Sequence, residues 1–188
     1  MKDENELDLI FPRDHAEISG QRPYLGMVVG GSLSKGLTVK LDASDVPGGL
    51  IEQLAVGRYV VVQGLTGRRF FCIVTDIALE HTNPALEASP PREGDLFSAE
   101  IYRSTVAYGR ASVAPMLVLE RDAEEPKPVK TIPAHFSIVA HASEQDVANV
   151  FGEEDEHHFH IGSPLEMDDV HININLNRFI ERSSGVFG

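Results

Sequence analysis

The chain has 188 residues, 42% of them hydrophobic, and a formal net charge of −13. This supports one packed domain of ordinary size plus a further fragment, and excludes wholesale disorder. No apolar run approaches the roughly 20 residues of a membrane span, and the acidic start Met1-Lys2-Asp3-Glu4-Asn5-Glu6 is no secretory signal.

Residues 1–22 lack a sustained period and read as a flexible N-terminal arm. From Tyr24 the signal is β. Leu25–Gly30 reads as a first strand and Lys35–Leu41, alternating with period 2, as a second. Between them, Gly30-Gly31-Ser32-Leu33-Ser34-Lys35-Gly36 has the composition of a phosphate loop. It lacks Gly-Lys-Ser/Thr and leads into a strand, so it reads as a hairpin loop.

Gly57–Gly64 is a third strand, rich in β-branched residues. Thr66-Gly67 is a tight hairpin signal, and Arg68–Leu79 a fourth strand, long enough to bend or bulge. Phe97–Ala107 and Ala111–Glu120 read as the fifth and sixth, joined near Tyr108-Gly109. Six short strands with Gly-rich turns predict a small closed or nearly closed antiparallel β-barrel, a mainly β fold in which closure removes exposed edges. Ala123–Val129, with two prolines among acids, suits only an extended crossing or hairpin tip. Phe136–Ala140 predicts the last barrel strand or a bridge out of it.

Ser143-Glu144-Gln145-Asp146 resembles a capping box and opens a short helix to Phe151, with Gly152 as its stop. Glu153–Glu156 reads as a solvated acidic loop. Phe159–Gly162 and Val170–Ile174 read as two more strands. Leu176–Ser184 follows as a second short helix, with Leu176, Phe179 and Ile180 on one face. The chain then ends in Gly185-Val186-Phe187-Gly188, a small apolar strand running into a Gly, as precedes the loop G-x-x-x-x-G-K-[ST]. Only the first Gly of that loop, Gly188, would be present.

The charge is unevenly placed. Residues 23–119 carry 8 Lys/Arg against 9 Asp/Glu, whereas 120–169 carry 3 against 13. Such a surface repels nucleic-acid phosphates at long range, though not from a basic channel supplied elsewhere in a larger protein. The single Cys72, inside the apolar run Phe70–Val74, can form no internal disulfide and reads as a buried thiol of a cytoplasmic protein.

Three constellations invite chemistry. His158 and His160 share a face of a strand, and with His171 downstream they could hold a metal; a polar strand start beside an acidic loop is the plainer reading. The acids at 153–156 and Glu166, Asp168 and Asp169 lack the alternating spacing of a calcium loop. Arg68-Arg69 beside Phe70-Phe71 is a basic and aromatic cluster of a kind that small barrels turn toward single strands. With Arg58, Arg103 and Arg110 it makes up the candidate DNA contacts. No nucleophile motif is present.

The order of elements resembles the N-terminal region of HerA-type ATPases, hexameric DNA translocases in which a small barrel, the HAS barrel, precedes a RecA-like motor. Leu25-Gly26-Met27-Val28-Val29-Gly30 resembles the family's "IG-x-V" first strand, and the Pro-containing stretch 126–133 its exit from the barrel. IGSPLEMDDVHININLNRFIERSSGVFG (161–188) resembles the passage into the motor. The resemblance implies a HAS-like barrel over 23–141, and a linker with the first, incomplete elements of the ATPase domain over 142–188. The expected role is non-catalytic: ring assembly, and docking of a partner nuclease such as NurA or another effector, in DNA-end processing or defence. It also implies ATP and Mg in the parent chain, a parent homohexamer, and DNA reached through the motor. Neither the Walker A Lys nor its Ser/Thr is present, so this chain is expected to be no enzyme by itself. Two other readings stand beside this one: a free-standing nucleic-acid-binding barrel, and a His-dependent metal-binding protein.

Overall fold

Residues 23–42, 50–120, 125–164, 167 and 170–181 are described by a computed structural model. The first hairpin pairs β1 (Tyr24–Ser32) with β2 (Gly36–Leu41) around a turn at 33–35, with Gly31 and Gly36 at positive φ. Gly31 cannot be replaced lightly, since a Cβ there would lie 2.4 Å from the Gly36 carbonyl oxygen. The loop with the composition of a phosphate site is therefore a hairpin turn.

A second hairpin joins β3 (Tyr59–Gln63) to β4 (Arg69–His81). The long β5 (Ala107–Leu119) returns along β4 and also pairs with β2, and β7 (Ile138–His141) fills the gap between β1 and β3. All these pairings are antiparallel, and the circuit β1-β7-β3-β4-β5-β2 closes on itself. The molecule is mainly β, a closed six-stranded antiparallel barrel with a few short helices. The two-residue β6 (Lys127–Pro128) adds to β5 from outside, where a proline that donates no ladder hydrogen bond is tolerated.

The period-2 pattern explains the filling. Leu37, Val39 and Leu41 point inward with Val60, Val62, Phe70, Cys72, Val74, Ala111 and Val113 to form the barrel core. Burial pushes the Cys72 thiol up to about 12, which leaves it an inert core residue. β3 departs from alternation because both of its faces are covered. Tyr59 and Val61 look outward into a second cluster with Phe71, Leu119, Val147 and Val170. That cluster is the underside of α3 (Glu144–Phe151), followed by the hairpin β8 (His158–Gly162) and β9 (Ile172–Asn175) and by α4 (Leu176–Ile180). The described residues of 142–181 thus lean on the barrel wall, and this part of the segment read as a linker shares a hydrophobic core with the barrel.

One strand expectation is overturned. The stretch beginning at Phe97 is a helix, α2 (Leu96–Thr105), after the single turn α1 (Ala85–Ala88). Asp95 caps it, accepting the Ser98 backbone N–H at 3.0 Å, and Gly94 at φ +85° turns the chain into it. The aromatic and β-branched residues suggested a strand, but the cap and the helix-favouring Ala99 and Glu100 prevail. Consequently β5 begins at Ala107, and Tyr108-Gly109 lies within it.

Candidate functional site

The strands β4 and β5 outrun the barrel. β3 accompanies β4 only to Ile73, a bulge follows between Val74 and Asp76, and β4 then pairs with β5 alone out to His81 and Ala107. This ribbon carries residues 82–106 as an arm. Arg110 to Glu80 at 3.2 Å, His81 to Glu87 at 2.8 Å and the Thr82 N–H to the Val106 carbonyl at 2.9 Å hold its base. No residue from Thr82 to Val106 is buried, yet α2 presents Leu96 and Phe97 at 80% and 76% exposure, with Ile101 also exposed. Leu96, Phe97 and Ile101 thus group as exposed apolar side chains on one helix.

A second apolar surface comes from β8 in the β8–β9 hairpin. His158 faces Asn175 and His160 faces Asn173 across the pair, so polar side chains share one face. That face is the more buried: Asn173 is only 5% exposed and donates from Nδ2 to the Gly152 carbonyl at 2.7 Å. On the opposite face Ile172 packs against the wall cluster, while Phe159 and Ile161 are 61% and 55% exposed and Ile180 of α4 is also exposed.

The five candidate arginines are not brought together. Arg68 and Arg69 stand at the β3–β4 turn, while Arg110, opposite Ala78, lies nine residues along the ribbon, about 30 Å away at the usual strand rise. Arg103 rides on α2. Four have carboxylate partners: Arg68 with Glu120 at 3.3 Å, Arg69 with Asp146 at 2.9 Å, Arg103 with Glu100 at 3.8 Å and Arg110 with Glu80. The Arg69 pair ties the barrel to α3. Asp146 is fully buried and closes the capping box, its Oδ2 accepting the Ser143 backbone N–H at 2.9 Å and hydroxyl at 2.8 Å. Arg58 has its Nε buried without a partner and lies near enough to His141 to act on its charge. Burial, with Arg58 beside it, lowers the His141 pKa to about 4.

The histidines divide likewise. Both ring nitrogens of His158 are engaged, Nδ1–H donating to Asp155 at 2.9 Å and Nε2 accepting from Asn175 at 3.2 Å. Asp155 also accepts the His157 and His158 backbone N–H groups, and the first of these leads in holding its carboxyl below the usual carboxylate range. His160 and His171 do meet, with ring centroids 4.4 Å apart. Among the described residues no group of three or more His, Cys, Asp or Glu is placed to hold a metal ion. Glu166, Asp168, Asp169 and Gly188 lie outside the described residues, as does the stretch 1–22.

Between α3 and β9 lies a groove of about 220 Å³ whose lining among the described residues includes Glu144, Ala148, Glu153, Glu154, Val170, His171 and Asn173. Gly152, at φ +80°, also lines it, and a Cβ there would come within 2.8 Å of the His158 ring. Sequence reasoning missed both the groove and the α2 surface. The alternation Ile172-Asn173-Ile174-Asn175 carried the first signal, and the Asp95 cap followed by Leu96, Phe97 and Ile101 the second.

No helix among the described residues is long and apolar enough to cross a membrane. No protein-family model matches the chain, and no curated protein matches it.

Proposed function

We propose that this chain is the non-catalytic N-terminal barrel of a HerA-like DNA translocase, serving ring assembly and the docking of a partner nuclease or effector. The exposed apolar side chains of β8 carry the reading. A hairpin that turns Asn173 and His160 toward its own domain and Phe159 and Ile161 toward water suits a position beneath another domain. In the proposed parent that domain is the RecA-like motor, and residues 161–188 are the passage into it. The motor brings ATP, Mg and DNA, and the parent is a hexamer. The α2 arm, projecting from the far end of β4 and β5, suits contact with a neighbouring subunit or an effector.

The engaged arginines favour docking over nucleic-acid binding, since carboxylates already occupy four of the five and the net charge is −13. The reading frame beyond codon 188 tests the family assignment. Gly-Lys-Ser or Gly-Lys-Thr about five residues on supports it, and an immediate stop codon overturns it. Light scattering across a concentration series tests assembly through α2. Mass should rise with concentration and fall back to the 20.6 kDa monomer in Phe97→Asp. A mass unchanged by Phe97→Asp removes the arm from the interface.

A further inference from the structure

We propose that the free edge of β4, Asp76–His81, accepts an extended segment of a docking partner as one more strand, with Lys or Arg on one face of that strand and apolar residues on the other. This rests on the docking reading above and names how one partner segment is held.

The edge follows from the topology. β3 accompanies β4 only to Ile73, and among the described residues β5 alone pairs with Asp76–His81. In an antiparallel pair, alternate residues turn both their N–H and C=O groups away from the partner strand. About three of these six residues therefore point a backbone donor and acceptor outward, over roughly 20 Å of strand. Such a row is the template onto which an extended peptide adds.

The side chains select the occupant. Ile77, Leu79 and His81 share one face of β4, and Asp76, Ala78 and Glu80 the other. Ile77 packs partly against the barrel core, whereas Leu79, two residues on, is 81% exposed. Gly109 lies opposite Leu79 on β5, so no side chain stands directly across from it. An apolar residue on an added strand would cover Leu79 from its open side. On the other face Glu80 is held by Arg110, while Asp76 is exposed and has no ion-pair partner among the described residues. Residues 75–106 carry 6 Asp/Glu against 2 Lys/Arg. A second copy would bring the same negative charge to the edge, and a nucleic acid more of it, whereas a basic segment brings the opposite charge.

Fluorescence anisotropy with the labelled, end-blocked peptide Lys-Val-Lys-Val-Lys-Val-Lys tests this at about 0.15 M salt, where distant charges are largely screened. Two controls keep its charge: a scrambled peptide without alternation, and a fully N-methylated one without backbone donors. Saturable binding is expected of the alternating peptide alone. It should weaken about five-fold in Leu79→Lys and about two-fold in Asp76→Asn. Both residues are exposed, so both variants should fold. Bound peptide should also slow amide exchange at Asp76–His81. Equal binding of the three peptides, or no saturable binding, would overturn the proposal. Protection gained at β8 and β9 instead would overturn it in favour of that hairpin's edge. Self-association abolished by Leu79→Lys, with no peptide bound, would give the edge to a second copy. The peptide is read on the isolated chain and Leu79 lies outside α2, so this test can fail where Phe97→Asp still dissociates an assembly, and the reverse.

Discussion

The barrel wall and the arm use apolar residues in opposite ways. Where α3 lies on the wall, Tyr59, Phe71 and Phe151 stack with ring centroids 4.9 to 6.3 Å apart, and Val61 and Val147 are sealed beneath them. On the arm, Leu96 and Phe97 face water. Burial stabilises by roughly 25 cal/mol per Å² of apolar surface, so the wall holds the fold and the arm adds little to it. Side chains of similar hydrophobicity thus serve stability in one place and are free for recognition in the other.

The sharpest way to break the contrast is Phe71→Ala. Phe71 is fully buried in the outer cluster, and its loss leaves a cavity between β4 and α3. Urea unfolding should show a loss of about 3–5 kcal/mol. A loss below about 1 kcal/mol would mean that α3 does not rest on the wall.

Asp146→Ala should cost about 2–3 kcal/mol in the same measurement. The substitution removes the capping carboxylate from Ser143 and leaves the partly exposed Arg69 without its partner. Asp146→Asn keeps part of the cap and should recover part of the loss. Equal losses in the two variants would assign the effect to the ion pair.

A smaller effect follows from pH. His141 is held near pKa 4, below the ordinary 6.5, chiefly by burial. Between these values the unfolded chain binds the proton and the folded chain resists it. Stability should therefore be complete above pH 6.5 and fall as pH drops toward 4. Discounted for partial exposure, the loss is about 1–2 kcal/mol. Urea midpoints from pH 7 to 5, above most carboxylate titration, should decline in the native chain and stay flat in His141→Leu. Parallel declines would place the proton elsewhere.

Local rules made much of this legible in the sequence. Alternation in Leu37-Thr38-Val39-Lys40-Leu41 marked an inward face, and Ser143 with Asp146 marked a helix start. The outer cluster was harder to read because β3 is apolar on both faces, and one strand does not say which neighbour covers its second face. The arm misled for a related reason. Phe97, Ile101 and Tyr102 have strand propensity, and with no buried partner on α2 there was no packing pattern to separate period 3.6 from period 2. The candidate arginines were legible as residues, but their carboxylate partners were not: Asp146 is 77 positions from Arg69.

The arm should show the smallest effect on stability and the largest on association. Leu96→Ser with Phe97→Ser removes two side chains that bury nothing in the fold, so monomer stability should stay within about 0.5 kcal/mol. Amide exchange sharpens the same point. The amides of α2 should exchange through local opening far faster than those of β3 and β4, because no buried contact resists fraying of 96–105. If the arm packs in an assembly, that protection should rise with protein concentration in the native chain and stay low in the double variant. Concentration-independent protection as strong as that of β3 would place α2 among the stabilising elements and erase the distinction between wall and arm.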